Sequence, residues 1–130
     1  PQLLEAFLQP LIDAGVDAFH CSQRRFWEPE FDDSDMNLAG WVKKLTGMPT
    51  ITVGSVSLDQ DFVSQPSEGD GATSEPTSID RLLEMMDRGD FDLVAVGRAL
   101  IANPDWPKVV RSGDTSALQA YNKDLLAELA

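Results

Sequence analysis

A threefold repeat of an amphipathic helix, a glycine and a short strand is the strongest constraint on how this chain folds. In each repeat, apolar residues at positions i, i+3, i+4 and i+7 form a stripe on one helix face. A glycine follows each stripe, as is typical of a left-handed helix cap. The stripes are Leu4, Phe7, Leu8 and Leu11; Leu38, Trp41, Val42 and Leu45; and Ile79, Leu82, Leu83 and Met86; the glycines are Gly15, Gly47 and Gly89.

A strand-like run follows each glycine, over residues 16–21, 50–53 and 91–96. The last two are rich in apolar and β-branched residues, which favours parallel strands covered on both faces. The interval between the starts of successive strand-like runs is comparable with the roughly 31 residues of one strand–helix unit in a (β/α)8 barrel. We therefore predict an α/β fold over residues 1–130: the C-terminal three strand–helix units of a TIM barrel, or a sheet that needs a partner.

Further helices are predicted after the third strand. Asn103-Pro104-Asp105 is typical of an N-cap, a proline at the first helical position and an acid in the first turn, and Gly113 would end that helix. A final helix is predicted over residues 116–130. Residues 59–77 are rich in Ser, Gly, Pro, Asp and Glu, so we predict a flexible loop insertion there, either a lid or a surface loop.

The charge and the composition of the chain argue against several classes of binding partner and of location. The net charge is −12, which argues against binding to nucleic acid or to anionic membranes. The single cysteine excludes an intrachain disulfide, and no apolar run approaches the roughly 20 residues of a membrane span. We expect a cytoplasmic protein without a signal peptide. The chain opens inside a helical pattern without Met, so we expect its true N-terminus to lie elsewhere.

Two matching glycines stand where the second and third strands end. Val53-Gly54-Ser55 and Val96-Gly97-Arg98 would lie side by side at the edge of a parallel sheet where ligands bind. Glycine lets a phosphate approach the backbone, and arginine offers a charged fork to its oxygens. We predict a phosphate site here. The alternative is two tight-turn glycines and an ordinary surface arginine.

The end of the first strand is less informative. His20 and Cys21 are adjacent, so on a strand they point to opposite faces. This geometry argues against a metal site and against a Cys21 nucleophile activated by His20. Arg25, Phe26 and Trp27 follow at the ligand end; they would line a substrate pocket, or Phe26 and Trp27 would pack beneath the loop.

Three segments together resemble bacterial old yellow enzymes. They are Phe19-His20-Cys21-Ser22 with Arg24-Arg25-Phe26-Trp27-Glu28-Pro29, then residues 50–56, and residues 91–106. These segments look like the sixth, seventh and eighth strand regions of that family. The resemblance implies an FMN-containing barrel that takes a hydride from NAD(P)H and reduces an activated alkene.

The resemblance also implies which residues serve the cofactor. The family holds the FMN phosphate at turns that correspond to Gly54, Ser55, Gly97 and Arg98. Its catalytic residues would lie upstream, so none is assigned in this chain, which would need the remainder of the barrel. His20 and Tyr121 do not match the family's substrate-anchoring and proton-donating motifs.

Two other interpretations fit the same residues. A phosphate-binding barrel that acts on sugar phosphates, an aldolase or isomerase, would explain the paired glycines but not the Arg24–Trp27 loop. A truncated, non-catalytic remnant would expose strand edges that seek partners.

Overall fold

The computed structural model describes residues 1–59 and 73–129. The chain divides into two compact units. The first comprises Pro1–Gly54 and Asp80–Ala95, and the second comprises Ser55–Ile79 and Val96–Ala130. The predicted loop insertion over residues 59–77 lies largely outside the described residues, because residues 60–72 are not among them.

The first unit contains the repeat. Its elements are α1 (Gln2–Asp13), β1 (Phe19–Ser22), α2 (Leu38–Thr46), β2 (Thr50–Val53), α3 (Asp80–Asp87) and β3 (Leu93–Val94). The strands form a three-stranded parallel sheet in the order β1-β2-β3. The predicted α/β class and the parallel neighbours are therefore confirmed, whereas three strands alone do not define a barrel.

The three glycines behave as the repeat predicts. Each has a positive φ, between 67° and 91°. Gly47 is the left-handed cap of α2, and its N–H donates to the carbonyl of Lys43. A glycine at these places lets the chain reverse after a helix without the steric cost of a Cβ.

The apolar stripes are buried less than predicted. On α1 only Leu8 is buried, while Phe7 is 66% exposed. On α3 the buried residues are Leu82 and Met85, not the predicted Leu83, which is 47% exposed. The periodicity predicted where the helices lie. Which of their residues are buried depends on the neighbours that tertiary packing brings against each helix face.

The sheet also departs from the predicted two-sided burial. Thr50 and Thr52 are fully buried on one face of β2, and Ile51 and Val53 on the other face are half-buried. The threonine hydroxyls are satisfied: Thr50 Oγ1 donates to the Met48 carbonyl, and Thr52 Oγ1 accepts from Asn37. The buried face of β2 is therefore polar but hydrogen-bonded.

Asn37 joins three parts of the first unit. Its side chain is completely buried and caps α2 by accepting from the N–H of Gly40 at 2.9 Å. Its amide nitrogen donates to the Phe26 carbonyl at 2.9 Å and to Thr52 Oγ1 at 3.1 Å. The start of α2, the loop after β1 and the centre of β2 therefore meet at one side chain.

The backbone of Gly54 lies against the same loop. A Cβ at Gly54 would be 2.5 Å from the Gln23 carbonyl oxygen. The Gly54 carbonyl accepts from the Phe26 N–H at 3.0 Å, and its φ is +147°. Both the close approach and the backbone conformation require glycine at this position.

The third strand is shorter than predicted. Leu93–Val94 form β3, and the N–H groups of Asp92 and Ala95 donate to the Thr50 and Thr52 carbonyls on either side of it. Leu93 is 57% exposed. The pairing with β2 thus covers the middle of the predicted strand only.

Short elements make up the second unit. Residues 57–59 and 75–77 pair antiparallel through the Leu58–Pro76 bridge, and Ser74 pairs with Tyr121. The helices among its described residues are α4 (Arg98–Ala102), α5 (Trp106–Ser112) and a 3-10 helix over Lys123–Leu129.

Two predictions for this region are wrong in detail. Asp105, not Asn103, precedes the first residue of α5, because the Asn103 side chain is engaged with Ala99 and Gln119 instead. The final helix does not begin near residue 116: Tyr121 lies in a bridge with Ser74, and that pairing requires an extended backbone. Gly113 ends α5 in a left-handed conformation, as predicted.

Over residues 1–59 and 73–129, no helix has both the length and the apolar character that crossing a bilayer requires.

We expect Gly54→Ala to lower the free energy of unfolding by about 3 kcal/mol or more, because the new methyl meets the Gln23 backbone and φ is positive. Urea unfolding would measure the loss. Gly47→Ala is the matched control: its φ is also positive, but a Cβ there would meet nothing within 4 Å in the part of the chain that the structure describes, so strain alone should cost about 1–2 kcal/mol. Equal losses in the two variants would refute the close-approach argument.

Asp92 ties the start of β2 to α2. Its carboxylate accepts from Lys43 Nζ at 2.8 Å and from the Thr50 N–H at 2.8 Å. These bonds, the Lys43 bond first, hold the pKa of Asp92 below its ordinary value. Because the folded-state pKa is lowered, the stabilisation is present at neutral pH and is lost as pH falls through that pKa.

We therefore expect Asp92→Asn to flatten the acid dependence of stability. Between about pH 5 and pH 2 the unmodified protein should lose more unfolding free energy than Asp92→Asn. Chemical denaturation at a series of pH values would measure the difference. Lys43→Met should flatten the same window, since it removes the main cause of the shift. Parallel pH profiles for all three proteins would contradict the assignment.

Candidate functional site

The second unit brings two predicted site residues together. Arg98, the first residue of α4, donates from Nη2 to Ser55 Oγ at 3.1 Å. The two residues are 43 positions apart in sequence. Nη1 of the same guanidinium donates to Ser74 Oγ at 3.0 Å. The arginine fork is thus held between two serine hydroxyls.

An aromatic ring lies beside this fork. The guanidinium carbon of Arg98 is 5.5 Å from the ring centroid of Tyr121, within the range of a cation–π contact. Tyr121 is only 3% exposed and Ser74 is fully buried. The two are joined by reciprocal backbone hydrogen bonds of 2.8 and 2.9 Å.

The backbone of Ser55 adopts a conformation that is uncommon for a residue with a side chain. Its φ is +49°, and two positions later Ser57 has a φ of +62°. Such conformations cost about 1–2 kcal/mol each and are found where the surrounding structure enforces them. Here the turn aims Ser55 Oγ at Arg98.

The two predicted glycines have different surroundings. The space beside the Gly54 Cα is filled by the backbone of Gln23 and Phe26. At Gly97 a Cβ would meet no atom of the described residues within 4 Å, and the residue is exposed. Open space at the Gly97 Cα is what close approach of a ligand to the backbone needs. The close approach to Gln23 accounts for the glycine at position 54.

The predicted pocket residues belong to the first unit. Phe26 is 2% exposed, and its ring contacts the Trp27 ring edge to face at 5.2 Å. Arg25 Nη1 pairs with Glu28 Oε1 at 2.7 Å. These contacts correspond to the loop-packing alternative for Phe26, while a substrate pocket at Arg25 and Trp27 stays a prediction.

His20 and Cys21 lie on opposite faces of β1, as predicted: His20 is exposed and Cys21 is buried. Burial raises the pKa of the Cys21 thiol to about 11, which leaves little thiolate at neutral pH. In the part of the chain that the structure describes, no group of three or more His, Cys, Asp or Glu side chains is arranged to hold a metal ion.

Ser74 and Tyr121 were missed as site residues by the sequence reasoning. Ser74 lies within the stretch predicted as a loop, and Tyr121 within the stretch predicted as a helix. They stand 24 residues before and 23 residues after Arg98 in the sequence. No motif links such distant positions, so only the folded structure reveals the contact.

Comparison with known proteins gives a redox context. No protein-family model matches the chain. The chain is similar to an NADH oxidase from Thermoanaerobacter brockii, with 30% identity over 111 residues. The match covers 79% of this chain but 14% of that relative, so the chain spans a small part of the curated relative's length. The similarity indicates a distant relationship to part of an oxidoreductase.

We expect Cys21 to react slowly with iodoacetamide in the folded protein, because burial limits both access and thiolate formation. Peptide mass spectrometry at pH 8 would follow alkylation of Cys21 with and without urea. Unfolding should speed the reaction by more than tenfold. Comparable rates in the two conditions would mean that Cys21 is an accessible, activated thiol.

Proposed function

We propose that this chain is part of an FMN-dependent oxidoreductase of the old yellow enzyme type, and that its second unit holds the phosphate of the flavin nucleotide. The observation that carries the proposal is the contact of Arg98 with Ser55. Residues selected as phosphate ligands from separate strand ends are joined by a hydrogen bond in the folded chain. The similarity to an NADH oxidase favours a redox cofactor over a sugar phosphate.

The residues of the second unit fit a phosphate group. Arg98 supplies a planar, permanently charged fork, which suits two phosphate oxygens. Ser55 supplies a hydroxyl that can donate or accept. No atom in residues 1–59 and 73–129 would lie within 4 Å of a Cβ at Gly97, which leaves room on that side for an oxygen to approach the backbone. We assign these groups a role in binding and orienting the phosphate, and no role in the chemistry.

In the proposed enzyme, FMN held at this end by the second unit would supply hydride transfer from NAD(P)H to an activated alkene. The contribution of this chain is to fix one end of the cofactor. We assign no catalytic residue to it, and Gly54 remains a proposed cofactor contact whose glycine is already required by the backbone of Gln23. The activity, the substrates and the rest of the barrel are proposals for the whole protein.

The test compares FMN with riboflavin, which lacks the phosphate. In the full-length protein, Arg98→Ala should weaken FMN binding by roughly 10- to 100-fold, since charge-assisted hydrogen bonds contribute about 1.5–3 kcal/mol each. Riboflavin affinity should be unchanged. Fluorescence titration of both flavins would give the two dissociation constants.

Arg111→Ala is a matched control, because Arg111 is an exposed arginine near the end of α5 and its removal changes the net charge equally. It should leave both affinities unchanged. If Arg98→Ala leaves the ratio of FMN to riboflavin affinity intact, the phosphate assignment is wrong. A full-length protein that binds phosphorylated sugars and no flavin would favour the aldolase or isomerase interpretation.

A further inference from the structure

We propose that Tyr121 and Ser74 are positioning residues that hold the Arg98 guanidinium in the orientation that binds phosphate. This inference rests on the proposed function and adds two residues to it. Neither residue needs to touch the ligand: each acts through Arg98. All of the contacts involved lie within the second unit.

The Tyr121 ring limits the movement of the Arg98 guanidinium. An arginine side chain has several rotatable bonds, and ordering it on ligand binding is costly in entropy. The ring lies 5.5 Å from the guanidinium carbon and is itself 3% exposed, so it is a fixed surface. A side chain already ordered against that surface loses less freedom when a phosphate arrives.

Ser74 holds one arm of the Arg98 fork by a hydrogen bond. Its Oγ accepts from Nη1, whereas Ser55 Oγ accepts from Nη2. A phosphate oxygen is a stronger acceptor than a hydroxyl because it is charged. When bound, it would replace Ser55 as the acceptor at Nη2, and the Ser55 hydroxyl would be able to donate to the phosphate. Ser74 keeps its bond to Nη1 and preserves the orientation.

The two positioning residues are themselves locked together. Ser74 N–H donates to the Tyr121 carbonyl at 2.8 Å, and Tyr121 N–H donates to the Ser74 carbonyl at 2.9 Å. Two residues before Tyr121, Gln119 exchanges hydrogen bonds of 2.8 and 3.0 Å with the side chain of Asn103. Asn103 is the C-terminal cap of α4, the helix that begins with Arg98.

These contacts form a closed path. It runs from α4 through Asn103, Gln119 and Tyr121 and returns to Arg98, so residues 119–121 are part of the proposed site. Asn103 is 8% exposed, and its amide also donates to the Ala99 carbonyl within α4. The position of the Tyr121 ring is therefore set relative to the helix that carries Arg98. This arrangement is one of preorganisation, since the fork is oriented before the ligand is present.

The test uses Tyr121→Leu and Tyr121→Phe in the full-length protein, with FMN and riboflavin as probes. Tyr121→Leu removes the ring and should weaken FMN binding by roughly fivefold, the scale of a cation–π contact. Riboflavin binding should stay the same. Tyr121→Phe keeps the ring, and among the described residues the Tyr121 hydroxyl makes no hydrogen bond, so it should restore the discrimination between the flavins.

A double variant separates positioning from folding. If Tyr121 acts through Arg98, Tyr121→Leu should have no further effect on FMN affinity in an Arg98→Ala background. A persistent fivefold effect in that background, or an equal loss of FMN and riboflavin affinity, would overturn the inference. If Arg98→Ala weakens FMN binding but Tyr121→Leu does not, only the inference fails; if Arg98→Ala has no effect, the proposed function fails with it.

Ser74→Ala decides the matter if Tyr121→Leu does not fold. It removes only the hydroxyl and leaves the backbone pairing with Tyr121 in place. FMN affinity should fall roughly threefold with riboflavin affinity unchanged, as expected for a lost hydrogen bond that orients the fork. The same affinity for FMN in Ser74→Ala and in the unmodified protein would count against the positioning role.

Discussion

The buried amide of Asn37 is the interaction on which the first unit depends. It satisfies the first turn of α2, a carbonyl of the loop after β1 and the hydroxyl of Thr52 at once. Removing a partner from a buried polar group leaves that group unsatisfied, at about 1–3 kcal/mol each. One side chain thus fixes where the helix starts, where the loop runs and which face of β2 is buried. The close approach of Gly54 to Gln23 then follows from that loop position.

The second unit is organised around Arg98 in a comparable way. Its fork is held by hydroxyls from Ser55 and Ser74 and lies beside the ring of Tyr121. The hydrogen-bond networks of the two units have different roles. At Asn37 every polar atom is buried, so the network stabilises the fold. Arg98 is only half-buried, and a permanently charged fork with partial access to solvent is suited to an anionic ligand.

Local patterns predicted much of the fold and part of the candidate site. The three helices, the glycines after them and the parallel order of the strands were read correctly because period, caps and strand composition are local properties. Ser55 and Arg98 were selected because glycine and arginine at strand ends suit phosphate. The prediction of a helix from about residue 116 was wrong, because Tyr121 pairs in an extended conformation with Ser74, and no local pattern encodes that pairing. For the same reason the burial of α1 and α3 was misjudged.

The sequence by itself determined the alternation of helices and parallel strands, the placement of the left-handed turns and the presence of a charged fork after a strand. Each of these follows from residues within one or two helical turns of one another. Only the tertiary structure decided that Arg98 meets Ser55, Ser74 and Tyr121, and that Gly54 is a glycine because a neighbouring backbone passes close to it. The physical reason is that such contacts join residues tens of positions apart, where the chain's path, and not its local preferences, sets the distance.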